Sequence, residues 1–144
     1  MIVRVTEAEL PAAAELACRL WPDHCPAELE AEFSRLLRGG DGALFLLREE
    51  GRDAGFAQCS LRRDYVEGTE TSPVGYLEGV FVREDCRRRG FARALLAACQ
   101  DWARERGCAE FASDCGLDNE DSRRFHLNTG FAEAARIICF AKKL

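Results

Sequence analysis

The stretch Gly79-Val80-Phe81-Val82, followed closely by Arg87-Arg88-Arg89-Gly90-Phe91-Ala92, decides how this sequence is interpreted. The first four residues end an apolar run typical of a central strand, and the next six lead into an amphipathic helix. A helix N-terminus carries unpaired N–H groups and partial positive charge. Gly90 and the small Ala92 let an anion approach the backbone closely, and Arg93 adds to the positive charge. The junction therefore predicts a site for a phosphate or pyrophosphate group.

Two other interpretations of this junction stay open. The arginines could form an ordinary solvated run, and the glycine could only shape a turn. Neither explains why both features coincide with a strand-to-helix junction. The sequence contains neither G-x-x-x-x-G-K-[ST] nor G-x-G-x-x-G, so the familiar nucleotide phosphate loops are not indicated.

Outward from the junction, hydrophobic periodicity predicts one α/β domain over residues 1–144, in the order β-α-α-β-β-β-α-β-α-β around a mixed sheet. We expect two early helices, one from Pro11 to about Trp21 and one from Pro26 to Gly39, and two later ones over Ala92–Arg106 and Ser122–Asn128. The predicted strands cover Ile2–Val5, Ala43–Arg48, Ala54–Leu61, Gly75–Val82, Glu110–Ser113 and Ala134–Ala141.

Composition bounds the class of protein. Hydrophobic residues make up 47% of the chain and charged residues 31%, which is typical of a globular domain. The apolar runs are too short to span a bilayer, and the first residues lack the pattern of a signal peptide, so we expect a cytoplasmic protein without a membrane partner. The net charge of −5 argues against a nucleic-acid partner and suits a cationic one.

Eight cysteines invite a disulfide or metal interpretation. No two have C-x-x-C spacing, and the two histidines, His24 and His126, are too few to complete a zinc site. We therefore expect reduced thiols, several of them in the core, and no metal.

The quoted stretch, together with Asn119, Ser122, His126 and Gly130-Phe131, resembles the GCN5-related N-acetyltransferase (GNAT) family. The resemblance implies a mixed central sheet that splays at the cofactor site, with helices on both faces, and acetyl-coenzyme A as co-substrate. It also implies that the pantetheine arm lies in the gap beside the central strand. The cofactor-binding residues would be Phe81, Val82, Arg88, Arg89, Gly90, Phe91, Ala92, Arg93 and Asn119.

Six further segments are similar to the aminoglycoside 6′-N-acetyltransferases of the chromosomal, antibiotic-resistance type. They are Leu20-Trp21-Pro22-Asp23-His24, Asp64-Tyr65-Val66, Ser72-Pro73-Val74, Leu77-Glu78-Gly79, Gly107-Cys108 and Ala112-Ser113-Asp114. This resemblance implies a homodimer and a polycationic aminoglycoside substrate. The pocket would be lined by Trp21, His24, Tyr65, Glu78 and Asp114.

The chemistry of those residues suits an aminoglycoside, because carboxylates bind ammonium groups and aromatic faces cover sugar rings. Structural roles remain possible for each. Trp21 could close the core, Tyr65 could anchor a loop, and His24 could be a surface residue. Glu78 could pair with a core arginine such as Arg62, and a buried carboxylate does need a partner. Asp114 could cap the following helix.

As a catalytic hypothesis, Asp114, with Glu78 through water, accepts a proton from the acceptor amine, and His126 protonates the departing thiolate. Two positions depart from the resemblance. His126 stands where the family often has tyrosine, and Ala135 stands where close relatives tend to carry an acidic residue. Three alternatives stay open: a GNAT enzyme acting on another small amine or a protein N-terminus, a non-catalytic acyl-coenzyme A-binding module, and an interaction domain without a cofactor.

Overall fold

The computed structural model describes all 144 residues. Five strands form one sheet in the order β1-β2-β3-β4-β5, in which the first four are antiparallel and β4 and β5 are parallel. The strands are β1 (Ile2–Arg4), β2 (Gly42–Glu49), β3 (Arg52–Arg62), β4 (Val74–Val82) and β5 (Phe111–Ser113). The helices are α1 (Leu10–Leu20), α2 (Pro26–Gly39), α3 (Phe91–Glu105) and α4 (Glu120–Asn128), with 3₁₀ turns at Glu7–Glu9 and Glu84–Cys86.

Helices cover both faces of the sheet, as the sequence predicted. Alternation along β2 sends Phe45 toward α3 and Leu46 toward α1 and α2, so each face has its own apolar cluster. Leu95 of α3 and Leu16 of α1 are almost completely buried in those two clusters. Burial of one such side chain stabilises the fold by about 1.5–3 kcal/mol. The two layers of helices leave β4 as the fourth of the five strands, between β3 and the short edge strand β5.

The turn between β2 and β3 is a tight hairpin, in which Glu49 pairs with Arg52. Glu50 and Gly51 have φ angles of 51° and 76°, which is the left-handed pair of a two-residue turn. Glycine suits the second of these positions because it has no Cβ.

One predicted element is wrong. The segment Ala134–Ala141 was expected to be the last strand, but no residue after Asn128 lies in a helix or strand. Ile137, Ile138 and Phe140 are 74%, 81% and 91% exposed. A strand exists only when a neighbour accepts its backbone hydrogen bonds, and the single chain offers none to this apolar segment. β-propensity alone could not supply that neighbour.

None of the helices combines the length and the apolar character that crossing a bilayer requires. The eight thiols are all free, and Cys59, Cys86 and Cys99 are buried, which agrees with the expectation that several act as core residues.

Candidate active site

A β-bulge in β4 positions the first candidate carboxylate. Gly79 pairs with Gln58, but Cys59 pairs with Leu77, so Glu78 is an extra residue in β4. A bulge interrupts the alternation of side chains, and Glu78 and its neighbour Gly79 therefore face the same side of the sheet. That side carries α1, because a Cβ built on Gly79 would lie 2.6 Å from the ring of Trp21. The glycine thus makes room for the tryptophan beside the carboxylate.

A cleft of about 280 Å³ opens at this place. It brings together three of the predicted substrate residues, Trp21, His24 and Glu78. Trp21 is fixed by an edge-to-face contact with Phe56, at 5.9 Å between ring centroids. The cleft is also lined by Leu29, Glu32, Phe33 and Gln58.

Glu32 and Gln58 were missed by the sequence prediction. Glu32 is one of several acidic residues along α2, and nothing in the helical pattern distinguishes it. Gln58 lies in β3 opposite the bulge of β4. Its polar side chain inside an apolar strand was the one sequence signal that could have identified it as a cleft residue. His24 is exposed and lies 3.8 Å from Glu28, one turn further along the chain.

Glu78 has a protein partner even without a substrate. Arg62 Nη2 donates to both carboxylate oxygens of Glu78 at 3.0 Å, and Ser60 Oγ donates to Oε1 at 2.5 Å. The pairing with Arg62 that the sequence left open is therefore present. The Glu78 side chain is 25% exposed and the Arg62 side chain 42% exposed, so both remain in contact with solvent.

Asp114 follows β5 directly and is exposed. Its Oδ2 accepts a hydrogen bond from the hydroxyl of Tyr76, and it caps no helix. The guanidinium of Arg62 lies over the ring of Tyr76, 3.4 Å from its centroid, and links this pair to Glu78. The two candidate carboxylates therefore belong to one network, although Asp114 does not line the cleft itself.

The remaining predicted acceptor residue, Tyr65, lies elsewhere. Its side chain is 80% exposed on the loop between β3 and β4, and its hydroxyl donates to Glu67. The structure does not bring it into the cleft.

His126 lies behind β5, with both ring nitrogens engaged. Nδ1 is 2.7 Å from the carbonyl oxygen of Ser122, so it carries the proton in that contact, and Nε2 is 2.8 Å from Ser113 Oγ. The ring also contacts Phe125 and Phe131 edge-on. Ser113, which contacts His126, directly precedes Asp114 in the chain.

The sheet splays where the sequence predicted a cofactor. β5 pairs with β4 only from Gly75 to Leu77, and the rest of β4 has no partner on that side. The N–H of Arg83 donates to Ala54 of β3. Since N–H directions alternate along an antiparallel ladder, the N–H of Val82 points away from β3, toward the gap.

The N-terminus of α3 lies next to this gap. Gly90 is its N-cap, with φ of 78°, and no side chain caps the first N–H groups of the helix. Arg88 is also left-handed, with φ of 62°. The loop thus leaves backbone donors free at the positive end of a helix dipole, which suits a pyrophosphate.

Three of the arginines at this end have protein partners. Arg87 Nε donates to the carbonyl of Val82 at 3.0 Å, Arg89 pairs with Glu49, and Arg93 Nη2 donates to the carbonyl of Asn128 at 2.7 Å. Arg88 has none. The arginines were expected to bind an anion together, but only Arg88 has no protein partner. The predicted anion site therefore consists of Arg88 and the backbone N–H groups of the loop.

Asn119 is the N-cap of α4. Its Oδ1 accepts from the N–H of Ser122 at 3.1 Å, which leaves the amide nitrogen free as a donor. The residues present at the gap fit a coenzyme A group, since they offer unpaired strand N–H, an uncapped helix N-terminus and a free cation.

Comparison with known proteins agrees with this geometry. Two curated proteins called "Aminoglycoside N(6′)-acetyltransferase type 1" are similar over nearly their whole length. The one from Serratia marcescens is 41% identical, covering 100% of this chain and 99% of its own. The one from Stenotrophomonas maltophilia is 42% identical, covering 99% and 93%.

Solved structures show the same fold. AAC(6′)-Iy in complex with the bisubstrate analogue CoA-S-monomethyl-acetylneamine superposes with a TM-score of 0.96 at 37% identity, covering 100% of this chain and 98% of its own. AAC(6′)-IG from Acinetobacter haemolyticus gives a TM-score of 0.94 at 37% identity, covering 100% and 99%. The family model described as "Acetyltransferase (GNAT) family" matches residues 10–131. The chain belongs to the GNAT family of acetyltransferases.

Proposed function

We propose that this protein is an aminoglycoside 6′-N-acetyltransferase, in which residues 1–144 form a single N-acetyltransferase domain. The observation that carries the proposal is that β4 borders both the cleft and the gap beside α3. Glu78 presents a carboxylate to the cleft, and Val82, four residues later, presents its N–H to the gap beside α3. The names of the full-length relatives support an aminoglycoside as the acceptor.

Acetyl-coenzyme A would supply the acetyl group as a thioester. Its pyrophosphate would be held by the loop and the first turn of α3, Arg88, Arg89, Gly90, Phe91, Ala92 and Arg93. The backbone of Phe81 and Val82 would hold the arm in the gap, and the free amide nitrogen of Asn119 would donate to it. The N–H of Val82 is a suitable donor for an oxygen that gains negative charge during transfer.

The acceptor would bind in the cleft by charge and stacking. Glu78 attracts an ammonium group, the ring of Trp21 packs against a sugar, and His24 contacts its rim. Tyr65 would join them from its exposed loop only after a movement of that loop. Because Arg62 already holds Glu78, the ammonium must share this carboxylate or displace the guanidinium.

Of the two candidate carboxylates, Asp114 is better placed than Glu78 to act as the base. It is exposed and its one side-chain contact leaves the second oxygen free to accept a proton from the acceptor amine. In its doubly protonated form, His126 would return a proton to the departing thiolate through Ser113: Nε2 would pass its proton to Ser113 Oγ while the Ser113 hydroxyl gives its own proton to the thiolate.

The proposal extends to assembly and compartment. An exposed apolar tail with Ile137, Ile138 and Phe140 favours a homodimer in which a second copy covers it. Eight free thiols favour a reducing compartment, the cytoplasm.

Free-thiol release from acetyl-coenzyme A tests the activity against kanamycin, tobramycin, a polyamine and a peptide N-terminus. We expect release with both aminoglycosides, and NMR of the product should locate the acetyl group on the 6′ nitrogen. Turnover only with the polyamine or the peptide would identify a different acceptor. Binding of acetyl-coenzyme A without any turnover would indicate a non-catalytic module.

The Asp114→Asn variant tests the base. We expect kcat/KM for kanamycin to fall about 100-fold, because the amide cannot accept the proton, with acetyl-coenzyme A binding unchanged. Asp118→Asn, a charge loss of the same kind on the following loop, is the matched control and should retain activity. Normal turnover of Asp114→Asn would exclude Asp114 as the base.

A further inference from the structure

Tyr76 stands between the two candidate carboxylates and has no role in the proposal so far. It lies two residues before Glu78 in β4, on the same face, and only 6% of it is exposed. Its hydroxyl donates to Oδ2 of Asp114, on the loop that follows β5. A buried tyrosine usually directs its hydroxyl to a partner, and here the partner is the proposed base.

The ring of Tyr76 is held in place from the opposite side. Arg62 stacks on it at 3.4 Å from the ring centroid, and the same guanidinium donates to both oxygens of Glu78. Val66, Val74 and Ala112 pack around it as a small apolar cluster. The hydroxyl therefore has little freedom to leave Asp114.

We propose that Tyr76 is a positioning residue for acyl transfer. It fixes one oxygen of Asp114 and leaves the other free to accept a proton from the acceptor amine. Through Arg62, it also fixes the position of Asp114 relative to Glu78. The inference rests on the proposed function, in which Asp114 accepts the proton.

The direction of the hydrogen bond supports this role. Burial, followed by the bond to Asp114, raises the pKa of Tyr76 well above its ordinary value, so the phenol stays protonated and donates. Asp114 itself lies on an exposed loop, where a short side chain without a partner samples several rotamers. The phenol selects one of them, which reduces the entropy lost when the acceptor binds.

The Tyr76→Phe variant tests the proposal, because it keeps the ring under Arg62 and removes only the hydroxyl. We expect kcat for kanamycin to fall about tenfold, as a hydrogen bond to a charged group suggests. KM for acetyl-coenzyme A should stay unchanged, and the melting temperature should fall only by the few degrees that one lost hydrogen bond implies. In the Asp114→Asn background, Tyr76→Phe should cause no further loss, since the group it positions is gone.

Thr71→Val is the matched control, because it also removes a hydroxyl that donates to a carboxylate, that of Glu110, but away from the site. It should leave turnover unchanged. If Tyr76→Phe is fully active while Asp114→Asn is impaired, Asp114 remains the proposed base and the positioning role of Tyr76 is overturned. An equal loss from Tyr76→Phe in both backgrounds also overturns it. Full activity of Asp114→Asn contradicts the proposed base first, so the two failures are distinguishable.

Discussion

At the scale of single residues, backbone conformation contributes more to the candidate cofactor loop than arginine charge does. Arg88 and Gly90 both have positive φ, and the glycine opens α3 without a side-chain cap. A non-glycine residue in this region carries a cost of about 1 kcal/mol, which Arg88 bears. The other arginines of the loop are engaged with the protein itself. We therefore expect cofactor binding to depend on the shape of the loop.

Gly90→Ala tests this dependence. We expect the free energy of unfolding to fall by about 1 kcal/mol, because alanine is strained at φ of 78°. KM for acetyl-coenzyme A should rise severalfold as the loop changes shape. Gly107→Ala introduces the same strain at φ of 84°, past the far end of α3, and should destabilise the protein to a similar extent with KM unchanged. Equal KM values for the two variants would show that the loop shape does not matter for the cofactor.

The sequence identified some of these residues and not others, for physical reasons. Glu78 was visible because a carboxylate inside an apolar run demands an explanation, and its pairing with Arg62 was foreseen as one. Tyr76 was not visible, since tyrosine is ordinary in a strand and its partner Asp114 is 38 residues away along the chain. Contacts between distant elements depend on register, and register is absent from a single sequence.

At the scale of elements, α4 begins at a residue whose side chain caps the helix and still has a free donor. Asn119 caps α4 through its side-chain oxygen, while its amide nitrogen remains available. At the other end, the carbonyl of Asn128 accepts from Arg93 of α3. This bond ties the C-terminal end of α4 to the first turn of α3.

Replacing Asn119 by serine and by alanine separates these roles. Serine is an equally good N-cap, so Asn119→Ser should keep the melting temperature but raise KM for acetyl-coenzyme A, because the amide is lost. Asn119→Ala should show the same KM and a stability lower by about 1 kcal/mol. Thermal unfolding and initial rates measure the two effects. Unchanged KM in both variants would restrict Asn119 to capping.

Helices and central strands were predictable because their apolar periodicity is set by packing within the chain. The sequence left Asp114 open as a cap of α4, but the cap is Asn119, and the bulge at Glu78 was not foreseen, because both depend on local geometry between elements. The strand expected over Ala134–Ala141 is absent for a related reason, since no strand of the single chain pairs with it.

At the scale of the whole molecule, that same tail determines the expected assembly. Ile137, Ile138 and Phe140 form an exposed apolar run on a segment whose backbone groups are unpaired. A neighbouring chain can bury an exposed apolar run and accept hydrogen bonds from its free backbone N–H groups.

Phe140→Asp tests the proposed homodimer and is expected to leave a monomer, because a carboxylate cannot be buried in an apolar contact without a partner. Size-exclusion chromatography with light scattering measures the change. Leu144→Asp places the same charge at an exposed position outside the apolar run and should leave a dimer. A wild-type protein that is monomeric at micromolar concentration would contradict the expectation outright.

The bulge in β4 has a further consequence for how this chain can vary. Even-numbered residues such as Tyr76 on its N-terminal side and odd-numbered residues such as Phe81 on its C-terminal side face the same side of the sheet. The bulge is one extra residue, since Cys59 and Gln58 are neighbours in β3 but pair with Leu77 and Gly79. Loss of that one residue would restore regular alternation and leave both faces as they are, whereas gain of one more would exchange inside and outside for half of the strand. The segment can therefore become one residue shorter more easily than one residue longer.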